Sequence, residues 1–203
     1  MTDRKTIDVY EAQAQRYADL ALSKMQIAAI DRFLSMLPAR ATILDAGCGP
    51  GLHAAIMVSA GHDVHGIDPT EAFVTDALSR GVNARLGSFD DITGTALYDG
   101  IYASFSLLHA PRAALPDHLA AMIRALKPGG ALFIGMKTGS GEDRDTIGRR
   151  YTYVTEFEMR GLLRDLGARV VHVETGEEAG LSGEVAPFFL MHATSNTSEG
   201  PDA

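Results

Sequence analysis

The sequence predicts an α/β fold, a mainly parallel doubly wound sheet with helices on both faces, and three observations carry that expectation. From residue 42 onward, short apolar runs alternate with helix-length amphipathic segments; strands joined by such crossovers pair in parallel and bury both faces of the sheet. One apolar run, Ile43-Leu44-Asp45-Ala46, enters a loop carrying Gly47, Gly49 and Gly51 and then a helical pattern, the layout of a ligand-binding β–α turn. The last two apolar runs, 168–173 and 185–192, have no helical pattern between them, so they are expected to close the sheet as an antiparallel pair.

The elements follow in order. Residues 10–20 read as a first helix with Tyr10 and Tyr17 on one face. A second helix carries Ile30, Phe33, Leu34 and Leu37 at i, i+3, i+4 and i+7 and stops before Pro38. Strand 42–46, helix 52–60, strand 63–67 and helix 71–79, stopped by Gly81, come next, then strands 84–87 and 100–104. Leu119, Met122, Ile123 and Leu126 form one stripe of a further helix. Lys127-Pro128-Gly129-Gly130 ends it, and residues 131–136 return as a strand. Thr155 and Glu158 make a capping box before a helix bearing Met159, Leu162, Leu163 and Leu166. Residues 174–184, rich in Gly and Glu, are expected to be the loop between the two final strands. The expectation is one domain over 1–193, with 1–40 as a helical lid or cap and 194–203 as a flexible tail.

Composition narrows the function. The chain has 203 residues, 46% of them apolar and 22% charged, which is ordinary for a globular domain. Lys plus Arg number 18 and Asp plus Glu 26, a net charge of −8, so a nucleic-acid backbone would be repelled and no such partner is expected. No apolar run reaches the roughly 20 residues that span a bilayer, and residues 1–10 lack the apolar stretch of a secretory signal. The expected setting is the cytoplasm, with no membrane partner. Cys48 is the single cysteine, and His62 and His65 point to opposite faces of a strand, so no metal site is expected. Asn196-Thr197-Ser198 fits a glycosylation acceptor, which without a secretory signal carries no weight.

The glycine loop is the most informative segment. Alternate glycines let the backbone turn tightly and let a ligand approach closer than a Cβ would allow. Asp68 ends the next strand, about 20 residues on, where a carboxylate can accept bonds from ribose hydroxyls. Together they point to an adenosine-containing ligand at the carboxyl ends of the strands. Read from Gly49, the segment also fits the permissive dinucleotide fingerprint, with Ala54 in the last place. Asp45, however, would crowd a pyrophosphate and suits a cationic amino group.

Asp45-x-Gly47-x-Gly49-x-Gly51 resembles motif I of the class I S-adenosylmethionine-dependent methyltransferases, and the similarity extends over about 42–192. Asp68, followed by Pro69, matches the ribose-binding acid of motif II. Ser88-Phe89-Asp90 matches the next motif, where the family sets an aromatic and an acid beside the adenine, and Leu126-Lys127-Pro128-Gly129-Gly130 matches the turn before the fifth strand. The resemblance implies a Rossmann-like seven-stranded sheet of order 3-2-1-4-5-7-6 with the last strand antiparallel. It implies S-adenosyl-L-methionine as cofactor and S-adenosyl-L-homocysteine as product. Within that superfamily, residues 106–112, 137–145 and Tyr151-Thr152-Tyr153 resemble a subgroup of tellurite-resistance-like small-molecule methyltransferases.

By that resemblance, Gly47, Gly49 and Gly51 shape the cofactor pocket, and Asp45 supports the methionine ammonium through the loop or a water. Asp68 and Pro69 lie at the ribose, and Phe89 and Asp90 flank the adenine. Ser104, Phe105 and Ser106 line the methyl-transfer end, and Tyr17, with Tyr10, closes over the cofactor or serves packing alone. Ser104-Phe105-Ser106-Leu107 replaces the pattern of family members that methylate amino groups of bases or glutamine. His109, just past the fourth strand, is the candidate catalytic base; it can equally hold its loop to a backbone carbonyl. Arg112, Lys137, Arg144, Tyr151 and Tyr153 are candidate acceptor contacts, Lys137 to Tyr153 being either a lid for an anionic or aromatic substrate or a solvated loop whose charges pair internally.

The reading is therefore a methyltransferase acting at oxygen, sulfur, nitrogen or a metalloid centre of a small molecule, as a monomer or homodimer. An NAD(P)-dependent oxidoreductase and a non-catalytic cofactor-binding protein of the same fold are the alternatives.

Overall fold

The computed structural model describes residues 3–196. Its centre is β1 (Thr42–Ala46), flanked by β2 (Asp63–Asp68) on one side and β4 (Tyr98–Ser104) on the other. With β3 (Asn83–Leu86), β5 (Leu126–Lys137), β8 (Ala168–Ala179) and β9 (Val185–Ser195) the sheet runs β3-β2-β1-β4-β5-β9-β8. Two further short strands outside it take the labels β6 and β7, so the main-sheet strands follow the expected order 3-2-1-4-5-7-6. The first five strands pair in parallel, and β9 pairs antiparallel with both β5 and β8.

Alternation along the central strands builds a core on each face. Ile101, Ala103, Leu132 and Ile134 face one side, where α6 (Leu115–Ala125) and α7 (Glu156–Asp165) bring Leu119, Met122, Met159 and Leu163. Tyr102, Ala131 and Phe133 face the other, against Ile30 and Phe33 of α3 (Lys24–Ser35), Met57 of α4 (Leu52–Ser59) and Ala77 of α5 (Glu71–Ser79). Tyr102 and Phe133 stack with ring centroids 4.2 Å apart. Because β1 leads to β2 on one side and lies beside β4 on the other, a crevice opens at the carboxyl ends of β1 and β4, where open α/β sheets take ligands.

Five local expectations change. The helix expected over 10–20 is two, α1 (Arg4–Ala12) and α2 (Ala14–Ala18), separated at Gln13 with φ −120° and ψ 18°. The break sets the Tyr10 and Tyr17 rings edge to face at 5.5 Å instead of along one helix face. Leu126 starts β5 instead of ending a helical stripe, because the backbone turns extended there (ψ 140°). The capping box at Thr155 is half made: its hydroxyl accepts from the Glu158 N–H, while the Glu158 carboxylate is taken by Arg112. Much of the loop expected over 174–184 is strand, since β8 pairs with β9 continuously from Glu174↔Leu190 to Ala179↔Val185; a Gly- and Glu-rich composition hid a backbone ladder. Finally, Thr194 and Ser195 belong to β9, so the expected tail begins later, and its remainder from residue 197 lies outside the described residues.

Candidate functional site

The glycine loop leaves β1 over a buried carboxylate. Asp45 is 1% exposed and its Oδ2 has no hydrogen-bond partner among the described residues. Burial, with Asp68 nearby, pushes its pKa up to about 8. Gly47 has φ +79°, and a Cβ there would lie 2.3 Å from the Ser106 Cβ. Only glycine lets β1 turn under the loop that follows β4. The Ser106 hydroxyl then closes the gap by donating to the Ala46 carbonyl at 2.6 Å. Gly51, at φ +81°, abuts Ala77 of α5, so it serves the packing of α4 and not the wall of a cavity.

Asp68, at the end of β2, organises the loop from the side. Its Oδ2 accepts from the Gly49 N–H and its Oδ1 from the Thr70 N–H, both at 2.9 Å. Burial, the larger effect, outweighs those bonds and raises its pKa to about 6. Each oxygen keeps a lone pair for a further donor.

A first cavity of about 780 Å³, mouth included, opens beside these groups. Gly47, Gly49, Asp68, Pro69, Phe89, Asp90, Ser104, Phe105, Tyr17 and His109 all line it, so most of the residues singled out from sequence converge there although they come from six separate segments. Phe105 follows β4 with φ +51°, an uncommon conformation for a residue with a side chain. Its N–H donates to the Gly135 carbonyl at 3.0 Å, which holds the ring at the cavity.

The residues after β5 form a hairpin of β6 (Glu142–Arg144) and β7 (Arg150–Thr152) whose charges pair internally, Arg150 with Glu142 and Arg149 with Asp145. At its turn Arg149 and Asp145 make a buried ion pair at 2.7 Å, each side chain 3% exposed. Arg149 Nη1 donates to the Tyr10 hydroxyl at 2.9 Å, and that hydroxyl lies 2.8 Å from His109 Nε2. His109 Nδ1 lies 2.6 Å from the Arg150 carbonyl. A carbonyl only accepts, so Nδ1 carries the proton and Nε2 accepts from Tyr10. Burial lowers the His109 pKa to about 4, and the ring is neutral at neutral pH.

A second cavity of about 1070 Å³, mouth included, shares Tyr10, Tyr17, Gly47, Gly49, Ser104 and Phe105 with the first. Lys137, Tyr151 and Arg149 form its charged and aromatic side, and Phe188 and Leu181 come from the β8–β9 hairpin. The Lys137 Nζ sits 4.3 Å from the centre of the Tyr151 ring.

Three predicted acceptor contacts stand away from both cavities. Arg112 donates to the Tyr153 carbonyl and to Glu158, tying the segment before α6 to α7. Arg144 bonds Asp3 through both terminal nitrogens, at 2.9 and 2.8 Å, and the Gly148 carbonyl at 2.8 Å. Tyr153 stacks behind Tyr151 with centroids 5.9 Å apart. Sequence reasoning missed His53, on the first turn of α4, which lines the second cavity; its buried Nε2 has no partner and burial lowers its pKa to about 4. No signal marked it, since a lone histidine in an apolar helix has no motif. Among the described residues no cluster of side chains is arranged to hold a metal ion, and no helix is long and apolar enough to cross a membrane.

The stretch from the second residue of β1 to the turn within β5, residues 43–130, matches a family described as a methyltransferase domain. Over that stretch the chain is similar to the family. The fold is shared with solved proteins of the same description. A SAM-dependent methyltransferase from Methanosarcina mazei superposes with a TM-score of 0.74 over 88% of this chain and 100% of that one, at 18% identity. The 1,6-didemethyltoxoflavin-N1-methyltransferase of Burkholderia thailandensis, solved with S-adenosylhomocysteine, gives 0.72 over 95% and 88%, at 22% identity. By sequence, the ubiquinone biosynthesis O-methyltransferase of Hydrogenovibrio crunogenus is 38% identical over 100 residues, 45% of this chain and 41% of its own. A tRNA U34 carboxymethyltransferase of Klebsiella pneumoniae is 33% identical over 121 residues, 54% of this chain and 36% of its own. The chain thus spans well under half the length of these curated relatives. The matched stretch 43–130 contributes the glycine loop, Asp68, Phe89 and His109, whereas Tyr17, Lys137 and Tyr151 lie outside it.

Proposed function

We propose that the protein is an S-adenosylmethionine-dependent methyltransferase whose first cavity takes the cofactor and whose second takes a small acceptor. The observation that carries the reading is the unpartnered Asp45 carboxylate beneath a loop that Gly47 alone permits, with Asp68 bound to the Gly49 N–H. A buried acid lacking a partner favours a cationic ligand overhead, such as an ammonium, and disfavours a pyrophosphate. Asp68 has lone pairs left for ribose hydroxyls, and Phe89 offers a ring to the adenine. The residues fit the cofactor.

S-adenosylmethionine, held there, would supply an electrophilic sulfonium methyl for an acceptor lone pair, with S-adenosylhomocysteine as the product. The work of this chain is then to align and to exclude water. Ser104 and Phe105, common to both cavities, stand where the two ligands meet. Tyr10 and Tyr17 cover that junction from α1 and α2, packed on Phe73 at 5.4 and 5.2 Å. His109, neutral and with Nε2 accepting from Tyr10, holds the N-terminal helices to the hairpin; as a base it would have to give up that bond. The resemblance of 106–112 and 137–145 to small-molecule methyltransferases supports a small acceptor over the tRNA named for one relative.

The test is a thermal-shift series on the full chain with S-adenosylmethionine, S-adenosylhomocysteine, NAD and NADP. A ligand at about 100 times its Kd adds roughly 2.7 kcal/mol, a rise of about 5–10 °C for this size. Shifts with the first two alone are expected. A shift with NAD or NADP alone would overturn the reading.

A further inference from the structure

We infer that the acceptor is a small planar acid, its single anionic group held at Lys137 and its ring lying among Tyr17, Phe105, Tyr151 and Phe188. This rests on the reading of the second cavity as the acceptor site. The argument begins with the pairing of charges. Arg112, Lys127, Lys137, Arg149 and Arg150 are the described Lys and Arg residues that are buried or partly buried. Arg112 pairs with Glu158, Lys127 with Asp99, Arg149 with Asp145 and Arg150 with Glu142. Lys137 alone of these has no carboxylate and no hydrogen-bond acceptor among the described residues; its one contact of note is the Tyr151 ring. Taking an ammonium out of water without a partner costs free energy that a ligand's anion would restore.

The surroundings of Lys137 do not supply that anion. Asp145 is occupied by Arg149 through the Nε, the Nη2 and the backbone N–H. Glu178, the carboxylate of the cavity wall, makes no ion pair with Lys137, and Glu184 is bonded to Ser182 at the hairpin tip. Burial, then the neighbouring Arg149, lowers the Lys137 pKa, as expected for a cation awaiting a counter-charge. Arg149, by contrast, already has its charge met by Asp145 and gives an Nη1 donor to the Tyr10 hydroxyl. One available cation suits a carboxylate or phenolate better than a phosphoryl group, which would call for several donors.

Aromatic and apolar side chains line much of the remaining cavity, with Gln26, Ser104 and Glu178 among them. Phe105 and Phe188 meet edge to face at 5.5 Å and line the cavity together with Tyr151 and Lys137. His53 also lines the cavity, and its buried Nε2, without a partner among the described residues, offers a second polar contact to a group on the ring. An acid with a ring and one further polar substituent meets each of these features.

Calorimetric titration of the full chain, saturated with S-adenosylhomocysteine, tests the inference. The probes are benzoate, 4-hydroxybenzoate and 4-hydroxycinnamate, each against its methyl ester. At least one acid is expected to bind about tenfold or more tightly than its ester. Lys137→Met and Lys137→Gln should abolish that preference and Lys137→Arg should keep much of it, all three with an unchanged Kd for S-adenosylhomocysteine, which also reports that they fold. The inference is overturned if no acid outbinds its ester, or if the preference survives in Lys137→Met or Lys137→Gln. Failure of S-adenosylhomocysteine to bind the unmodified chain would instead overturn the cofactor reading beneath it.

Discussion

Tyr10 and His109, 99 residues apart in the chain, are joined by a 2.8 Å hydrogen bond between the phenol and Nε2. The same hydroxyl accepts from Arg149, so one oxygen joins α1, the segment after β4 and the β6–β7 hairpin. Tyr10→Phe would leave Nε2 and an arginine N–H without a partner. A loss of about 1–3 kcal/mol follows, seen as a fall in Tm of roughly 3–10 °C. An unchanged Tm would mean that α1 is not fastened through this bond.

His109 and His53 also set an acid limit on stability. Each is held neutral by burial, its pKa lowered to about 4 from the ordinary 6.5. Between those values the unfolded chain binds more protons than the folded one, so their contribution is complete above about pH 6.5 and is lost as pH falls toward 4. Urea denaturation at pH 4.5 and pH 7 should show the loss, and a smaller one in His109→Gln. Equal losses in the two proteins would remove His109 from the account.

Asp45 and Asp68 act in the opposite sense. Their pKa values are raised, to about 8 and about 6, so the folded protein favours their protonated forms and stability falls as pH rises through those values. Asp45→Asn should therefore raise the Tm of the ligand-free protein at pH 8.5, where the native carboxylate is ionised beneath the loop, and weaken S-adenosylhomocysteine binding. Native affinity should rise from pH 6 to pH 8 as Asp45 ionises, and this rise should shrink in Asp45→Asn. An affinity that stays level in the native protein would separate Asp45 from the ligand.

The Asp145–Arg149 pair holds the hairpin turn from inside. Arg149→Met strands a buried carboxylate, at a cost of about 3–5 kcal/mol. The double variant Arg149→Met with Asp145→Leu should recover part of that loss in a denaturation series. Full additivity of the two single changes would show that the charges are not coupled.

Gly47→Ala places a Cβ where the Ser106 Cβ already stands and imposes a left-handed backbone on alanine. Cofactor binding should be lost before the fold is: circular dichroism near native, S-adenosylhomocysteine titration flat. Pairing it with Ser106→Gly should restore binding in part, since one of the two obstacles is then gone.

The first cavity was legible because its parts are local and chemically constrained. A glycine at positive φ and a carboxylate at a strand end can be recognised in a single segment, and Gly47, Gly49, Asp68, Phe89 and Phe105 do converge there. The sheet order was legible through the family resemblance, and the alternation of apolar runs independently gave its parallel character. What sequence could not give was partnership at long range. Arg112, Arg144 and Arg149 look alike as surface cations, yet Glu158, Asp3 and Asp145 assign each a separate role. The break at Gln13 and the continuation of β8 through 174–179 depend on what packs or pairs against them, which no window of residues contains.

The two cavities share Tyr10, Tyr17, the glycine loop, Ser104 and Phe105, but only the second reaches residues beyond His118. Within the second cavity, Leu20, Leu22 and Gln26 precede the stretch 43–130, and Lys137, Tyr151, Leu181 and Phe188 follow it. Substitutions in these flanks can accumulate without touching the glycine loop or Asp68. With the second cavity read as the acceptor site, the C-terminal flank can change the acceptor much as a tool keeps its handle and changes its bit: a chimaera carrying residues 137–188 of a related protein should shift acceptor preference while retaining affinity for S-adenosylhomocysteine, because no described residue beyond His118 lines the first cavity.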